Sequence, residues 1–156
     1  MKGNENVIAR LNEALHDELT AIHQYMLDAE MCENWGLSRL ASLIQKQAIG
    51  EMRHAERLIE RIIFLEGIPE MGGSFSIQPP ASVPALLQRQ LEMERGAVAA
   101  YNASARICQE AGDNGSKDLF ESLLKDEEGH TDFLETQLGL IEQTGLENYL
   151  AQHMKS

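Results

Sequence analysis

Cysteine is scarce in this chain. Cys32 and Cys108 are its only two, and they stand in neither a CxxC nor a zinc-ligand spacing. That argues against a disulfide framework and leaves no iron–sulfur module. Basic residues are few as well: 13 Lys and Arg against 25 Asp and Glu give a formal charge of −12. Such a balance disfavours nucleic acid and anionic membrane as partners and suits the attraction of cations. No apolar run reaches transmembrane length, and the opening Met1-Lys2-Gly3-Asn4 lacks the apolar segment of a secretory signal. A reduced, cytoplasmic setting is the expectation. Proline is limited to four residues, and β-branched runs are rare beside abundant Leu, Ala, Glu and Gln, so helix is favoured over strand.

What is present has the makings of one globular domain over residues 1–156, with 43% hydrophobic and 24% charged residues. From Val7 to about Asn34, Leu11, Leu15, Leu19, Ile22, Met26 and Ala29 recur at helical spacing, with Tyr25 on the same stripe. Glu18 interrupts that stripe, where a carboxylate needs a partner. Gly36 offers a left-handed cap after Trp35. A second helix spans Ser38 to Leu65, and its apolar face is broken in the middle by Gln47, Glu51 and His54 before Gly67 and Pro69 stop it. Residues 66–81 are too rich in Gly and Pro for regular structure. Antiparallel neighbours in a bundle need only about 2–8 linking residues. Roughly 16 extended residues reach about 50 Å, enough to run back along a helix of about 28 residues and 42 Å. The third helix should therefore run parallel to the second, which is the long-crossover class of four-helix bundle.

Ser82 can cap the third helix, with Pro84 in its first turn, and the helix continues to about Ala111. Gly112 to Gly115 form a turn, Ser116 is read as the cap of the fourth helix, and Gly145 closes it. An amphipathic tail from Leu146 to His153, carrying Tyr149 and Leu150, makes a short fifth helix that either docks or trails.

The two halves repeat. Glu51-Met52-Arg53-His54 and Glu127-Glu128-Gly129-His130 are two Glu-x-x-His segments separated by 76 residues, and the same shift maps Glu18 onto Glu94, Tyr25 onto Tyr101 and Cys32 onto Cys108. Residues at i and i+3 share a helix face, so each segment presents a carboxylate and an imidazole to one point. Each is preceded by a core glutamate 33 residues earlier. The two cysteines lie on opposite sides of their glutamates, about 40 Å apart at 1.5 Å per residue, which rules out a disulfide between them.

Four carboxylates gathered in a low-dielectric core cost several kcal/mol each or take up protons. Two divalent cations neutralise them, and Glu with His and no thiolate selects iron or manganese over structural zinc. A Glu from two helices and a Glu-x-x-His from two others is the carboxylate-bridged di-iron pattern. Glu51 and Glu127 are expected to bridge both ions, with Glu18 and His54 completing one shell and Glu94 and His130 the other.

These residues, together with Met1-Lys2-Gly3, Gln24-Tyr25, Asn34-Trp35-Gly36-Leu37, Ile59-Glu60-Arg61-Ile62, Phe64-Leu65-Glu66-Gly67, Asp126-Glu127-Glu128-Gly129-His130 and Gly145-Leu146-Glu147-Asn148-Tyr149-Leu150, resemble the bacterioferritins over nearly the whole chain. The resemblance implies an all-α, ferritin-like four-helix bundle with a long crossover between helices 2 and 3. It implies a homo-oligomeric cage of 24 chains in which Fe2+ is oxidised by O2 or H2O2 at the di-iron centre and stored as ferric mineral. It also implies haem b shared between two subunits, with Met52 as the axial ligand from each, and a ferredoxin-type reductant for iron release. Tyr25 is expected as a hydrogen-bond donor or radical site beside the centre, and Tyr101 as a structural residue. The chain departs from some bacterioferritins at Leu58 and Phe133, where they carry further aromatics. It also has Lys46 and Gly50 where some have a His and an Asp of a cavity-facing iron site. A rubrerythrin-type peroxidase is the redox-defence alternative, but the CxxC module of that class is missing. A non-catalytic cage with a purely structural metal is another.

Overall fold

In the computed structural model, which describes residues 1–154, the chain folds into helices α1 (Glu5–Asn34), α2 (Ser38–Phe64), α3 (Val83–Glu110), α4 (Asn114–Thr144) and α5 (Leu146–His153), with no strand among the described residues. Helix α1 starts two residues before the first apolar stripe position. Asn4 sets that start, its side-chain oxygen accepting from the backbone N–H of Asn6 and Val7 at 2.8 and 3.2 Å. Ser82 caps α3 through the N–H of Ala85, with Pro84 in the first turn.

The expected cap of α4 is corrected. Asp113, not Ser116, occupies that position, and its carboxylate accepts from the Ser116 N–H at 2.9 Å. A carboxylate there meets the unsatisfied N–H groups of the first turn and the positive end of the helix dipole together. The Ser116 hydroxyl instead donates to Asp113 at 2.7 Å and accepts from Arg61 Nε at 3.0 Å.

The two tight interhelical turns are copies of each other. Leu37 N–H donates to Cys32 O, and Asp113 N–H to Cys108 O, each at 2.9 Å. Gly36 and Gly112 take φ of 83° and 74°, a conformation open mainly to glycine. The turns make α1–α2 and α3–α4 antiparallel hairpins. Across the hairpins, Arg10 donates to Ser104, and Gln90 near the start of α3 donates to Asp28 near the end of α1, so α1 and α3 run antiparallel. Hence α3 is parallel to α2, as the crossover length predicts.

Residues 65–82 carry the chain back along α1 without regular structure. Two side-chain amides on α1 hold them. Asn12 donates to Ile68 O and accepts from the Glu70 N–H, while Gln24 donates to Gln78 O and accepts from the Gln78 N–H. Between these clasps the Phe75 ring stacks on both His16 and His23, with centroids 5.1 and 4.4 Å away. His23 Nδ1 also bonds Leu19 O at 2.6 Å.

The core is in two parts. One apolar cluster, with Leu40, Ile44, Leu87 and Leu134, fills the end of the bundle near the α1–α2 turn. The other, with Leu11, Leu58, Phe120 and Leu123, fills the opposite end. Burial stabilises by about 1.5–3 kcal/mol for each large apolar side chain. Helix α5 docks on its own chain through Tyr149, which is buried in the first cluster and donates to Gln137 Oε1 at 2.8 Å. Cys32 and Cys108 lie in different clusters and are both free. Between the clusters lies a layer of buried charge.

Candidate metal centre

The charged layer is built by four helices at one level. Helices α1 and α3 each supply a glutamate, Glu18 and Glu94, and α2 and α4 each supply Glu-x-x-His with both side chains turned inward. All four glutamates are buried, none exposed by more than 2%. His54 Nδ1 lies 2.9 Å from Glu127 and 3.5 Å from both Glu18 and Glu51. His130 Nδ1 lies 3.0 Å from Glu51, 3.6 Å from Glu94 and 3.7 Å from Glu127. Two four-residue groups result: Glu18, Glu51, His54 and Glu127, and Glu51, Glu94, Glu127 and His130. Within each, one ligand atom per residue lies within 4.8 Å of all the others. Glu51 and Glu127 are common to both.

The donor set fits two cations. Each of the six residues carries a buried oxygen or nitrogen without a hydrogen-bond partner: Glu18 Oε2, Glu51 Oε1, His54 Nδ1, Glu94 Oε2, Glu127 Oε1 and His130 Nδ1. Orphans of this kind cost about 1–3 kcal/mol apiece and are rare in folded proteins. Both imidazoles turn Nδ1 into the carboxylate group, with the nearest oxygen 2.9 Å from His54 and 3.0 Å from His130.

Without a cation, protons take its place. Burial, reinforced by Glu51 and Glu127, pushes Glu18 well above its ordinary 4.5. Burial acts on Glu51 in the same sense, but Glu18, His130 and His54 around it outweigh that and hold it low. Burial also pulls both histidines down, and the carboxylates overcome it. Glu127, Glu18 and Glu51 hold His54 far above 6.5, and Glu127 and Glu51 lift His130 to about 10. Two imidazolium protons thus stand in for positive charge that divalent ions would bring.

Tyr25 and Tyr101 complete the layer. Both are buried, and each hydroxyl donates across the α1–α3 contact: Tyr25 to Glu94 Oε1 and Tyr101 to Glu18 Oε1. Tyr25 stands two turns from Glu18 on α1, and the antiparallel α3 brings Glu94 to it. Tyr101, expected as a structural residue, makes the same bond. Asp126 also joins the site, though nothing in its spacing marks it. Its carboxylate accepts from His54 Nε2 at 2.9 Å, behind the face that looks at the glutamates. The signal in the sequence was its place beside Glu127.

Met52 is not part of this layer. It is 47% exposed, on the outside of α2, near the similarly exposed Ile49. Met26 of α1 lies in an adjoining groove with Ala41, Gln45 and Ala48. From outside, a cavity of about 270 Å³ between α1 and α3 reaches the centre past Asp17 and Glu92 to Glu18, Glu94 and Tyr101.

A four-helix bundle with a long crossover and a buried Glu–His centre fed by all four helices defines the ferritin-like class. Comparison with known proteins agrees: the profile of the ferritin-like domain matches residues 8–144. The chain is 46% identical over 149 residues to a bacterioferritin of Brucella melitensis biotype 1, covering 96% of this chain and 92% of that protein. It is 42% identical over 149 residues to a bacterioferritin of Rhodobacter capsulatus, with the same coverage of 96% and 92%. A bacterial ferritin of Synechocystis sp. is 41% identical over 155 residues, 99% of each chain. The chain belongs to the bacterioferritin family.

Proposed function

We propose that this chain is one ferritin-like domain over residues 1–156 that stores iron, oxidising Fe2+ at the Glu–His centre and assembling with copies of itself into a 24-subunit cage that encloses the ferric product. The observation that carries this reading is the set of six orphaned ligand atoms, arranged as two groups that share Glu51 and Glu127. Glu18 and His54 would hold one iron ion, Glu94 and His130 the other, and Glu51 and Glu127 both. Iron supplies the redox step, passing electrons to O2 or H2O2. The protein supplies the rest: four carboxylates offset the charge of two Fe2+, the two imidazoles lose their protons as ions arrive, and the apolar clusters on either side limit water. Tyr25, with its hydroxyl on Glu94, is the hydrogen-bond donor and radical site beside the centre. The cavity past Asp17 and Glu92 gives Fe2+ a path lined with acid.

Met52 would hold haem b on the outer face, where two subunits meet. An exposed thioether beside exposed Ile49 offers the soft donor and apolar wall that such a group needs. Two thioether ligands favour electron transfer over O2 binding, which suits iron release driven by a ferredoxin-type reductant. Among the described residues no helix is long and apolar enough to cross a membrane, and the proposed setting is the cytoplasm.

Stopped-flow mixing of apoprotein with Fe2+ in air tests the central reading. The parent should show a fast oxidation phase that Glu18→Ala and His130→Ala remove; variants as fast as the parent overturn the assignment. Gel filtration reads the cage, and Soret absorbance after haem supplementation, lost in Met52→Leu, reads the haem.

A further inference from the structure

Tyr101 stands to Glu18 as Tyr25 stands to Glu94. Each is a buried phenol on one of the two antiparallel helices, its O–H directed at the unshared glutamate of the other. Each ring is held in apolar surroundings. Tyr25 lies in the cluster at one end of the bundle and Tyr101 in the cluster at the other, tilted 50° against Phe120 with centroids 5.7 Å apart. Tyr101 also lines the cavity that reaches the centre from outside. A phenylalanine would fill the same space, so the hydroxyl is present for the carboxylate it meets.

We infer that Tyr101 is a second redox-active positioning residue. It holds Glu18 for its ion and, paired with Tyr25, supplies one electron and one proton to the reduction of O2. This rests on the ferroxidase reading above. The balance gives the pairing its reason. Reducing O2 to two waters takes four electrons and four protons, and two Fe2+ provide only two electrons. Two tyrosines provide the other two: O2 + 2 Fe2+ + 2 TyrOH + 2 H+ gives 2 Fe3+ + 2 TyrO• + 2 H2O. The Tyr101 proton leaves along its hydrogen bond to Glu18 Oε1, and the Tyr25 proton along its bond to Glu94 Oε1, on the way to the product water. Each radical is then reduced by a further Fe2+ with uptake of one proton, giving Fe3+ and restoring the phenol.

The test is freeze-quench EPR of the full assembly, loaded anaerobically with two Fe2+ per subunit and mixed with O2, in the parent, Tyr25→Phe, Tyr101→Phe and the double variant. The parent should give two overlapping tyrosyl signals. Each single variant should lose one of them, the double variant should lose both, and H2O2 released per iron should rise in the same order. Co2+ titration of the apoproteins reads positioning apart from redox: Tyr101→Phe should weaken the ion bound by Glu18 and leave the ion bound by Glu94 unchanged. A full radical yield in Tyr101→Phe, with none in Tyr25→Phe, overturns the proposal. Fast iron oxidation in the parent without any tyrosyl signal overturns this proposal alone; absence of fast oxidation in the parent overturns the ferroxidase reading and this proposal with it. Fluorotyrosine placed at position 101 keeps the hydroxyl and adds fluorine splitting to that radical only. It answers the question even if Tyr101→Phe does not assemble.

Discussion

The two halves of the centre carry the same Glu and His residues in unequal settings. On one side, His54 is nearly enclosed, its side chain 6% exposed, and Asp126 fixes its outer nitrogen at 2.9 Å. On the other, His130 is 23% exposed, and among the described residues no carboxylate pairs with its outer nitrogen. The 76-residue shift explains the difference, since it maps Asp126 onto Gly50, where an added Cβ would meet nothing within 4 Å. A carboxylate behind a ligating histidine fixes the ring's tautomer and orientation and raises its basicity. The repeat has therefore kept the Glu, His and Tyr groups that meet at the centre and lacks one that faces outward. Ligands are constrained by a point that both halves see, whereas outer partners are constrained by one half alone.

The largest effect should come from the residues that belong to both halves. Glu51→Ala or Glu127→Ala should abolish binding of both ions in a Co2+ titration, while Glu18→Ala or Glu94→Ala should leave one. Equal loss from all four variants would erase the distinction between shared and unshared carboxylates. Next in size, Asp126→Asn should weaken the ion on the His54 side about 10–100-fold and spare the His130 side. Gly50→Asp should bring the His130 side closer to its twin, read by the same titration.

The pH dependence of the apoprotein should be smaller. His130 is raised from 6.5 to about 10, so its contribution is fully present below 6.5 and is lost as pH rises through about 10. His54 and Glu18 are also raised and act in the same sense. Glu51, held below 4.5, contributes above that value and so does not vary in this window. Thermal unfolding of the apoprotein should therefore fall between pH 6.5 and about 10. The stabilisation gained from Co2+ should grow over the same interval, because binding displaces these protons. A flat apoprotein profile would show that the imidazoles are not held protonated.

The smallest effect concerns the scaffold. The shift maps Leu37 onto Asp113 at matching turns, and only Asp113 has a cap to lose. Asp113→Ala should cost about 1 kcal/mol, lowering Tm by about 2–4 °C for a chain of this size. Calorimetry of the apoprotein checks it.

The six inward Glu and His residues and the long crossover could be read from the chain because periodicity reports which face of a helix a residue occupies, and Glu18, Glu51, His54, Glu94, Glu127 and His130 are polar groups on apolar faces. Position along a helix relative to its neighbours leaves no such trace. Asp126 meets His54, Tyr25 meets Glu94 and Tyr101 meets Glu18 only because antiparallel helices lie in one particular register. Phe75 gives no periodic signal at all, and it is the ring that pins the crossover to His16 and His23. The misplaced cap has the same origin, for Asp113 and Ser116 are both good capping residues and the choice falls to the turn that Gly112 makes.

By itself the sequence determined an all-α bundle with a parallel return helix and six inward Glu and His side chains in two related sets, because side-chain spacing within a helix is fixed by the backbone. Only the tertiary structure decided that one histidine is clamped and the other is not, and that each tyrosine serves the glutamate of the opposite hairpin. Those pairings depend on how helices slide past one another, which is settled by turns and packed side chains far apart in the chain.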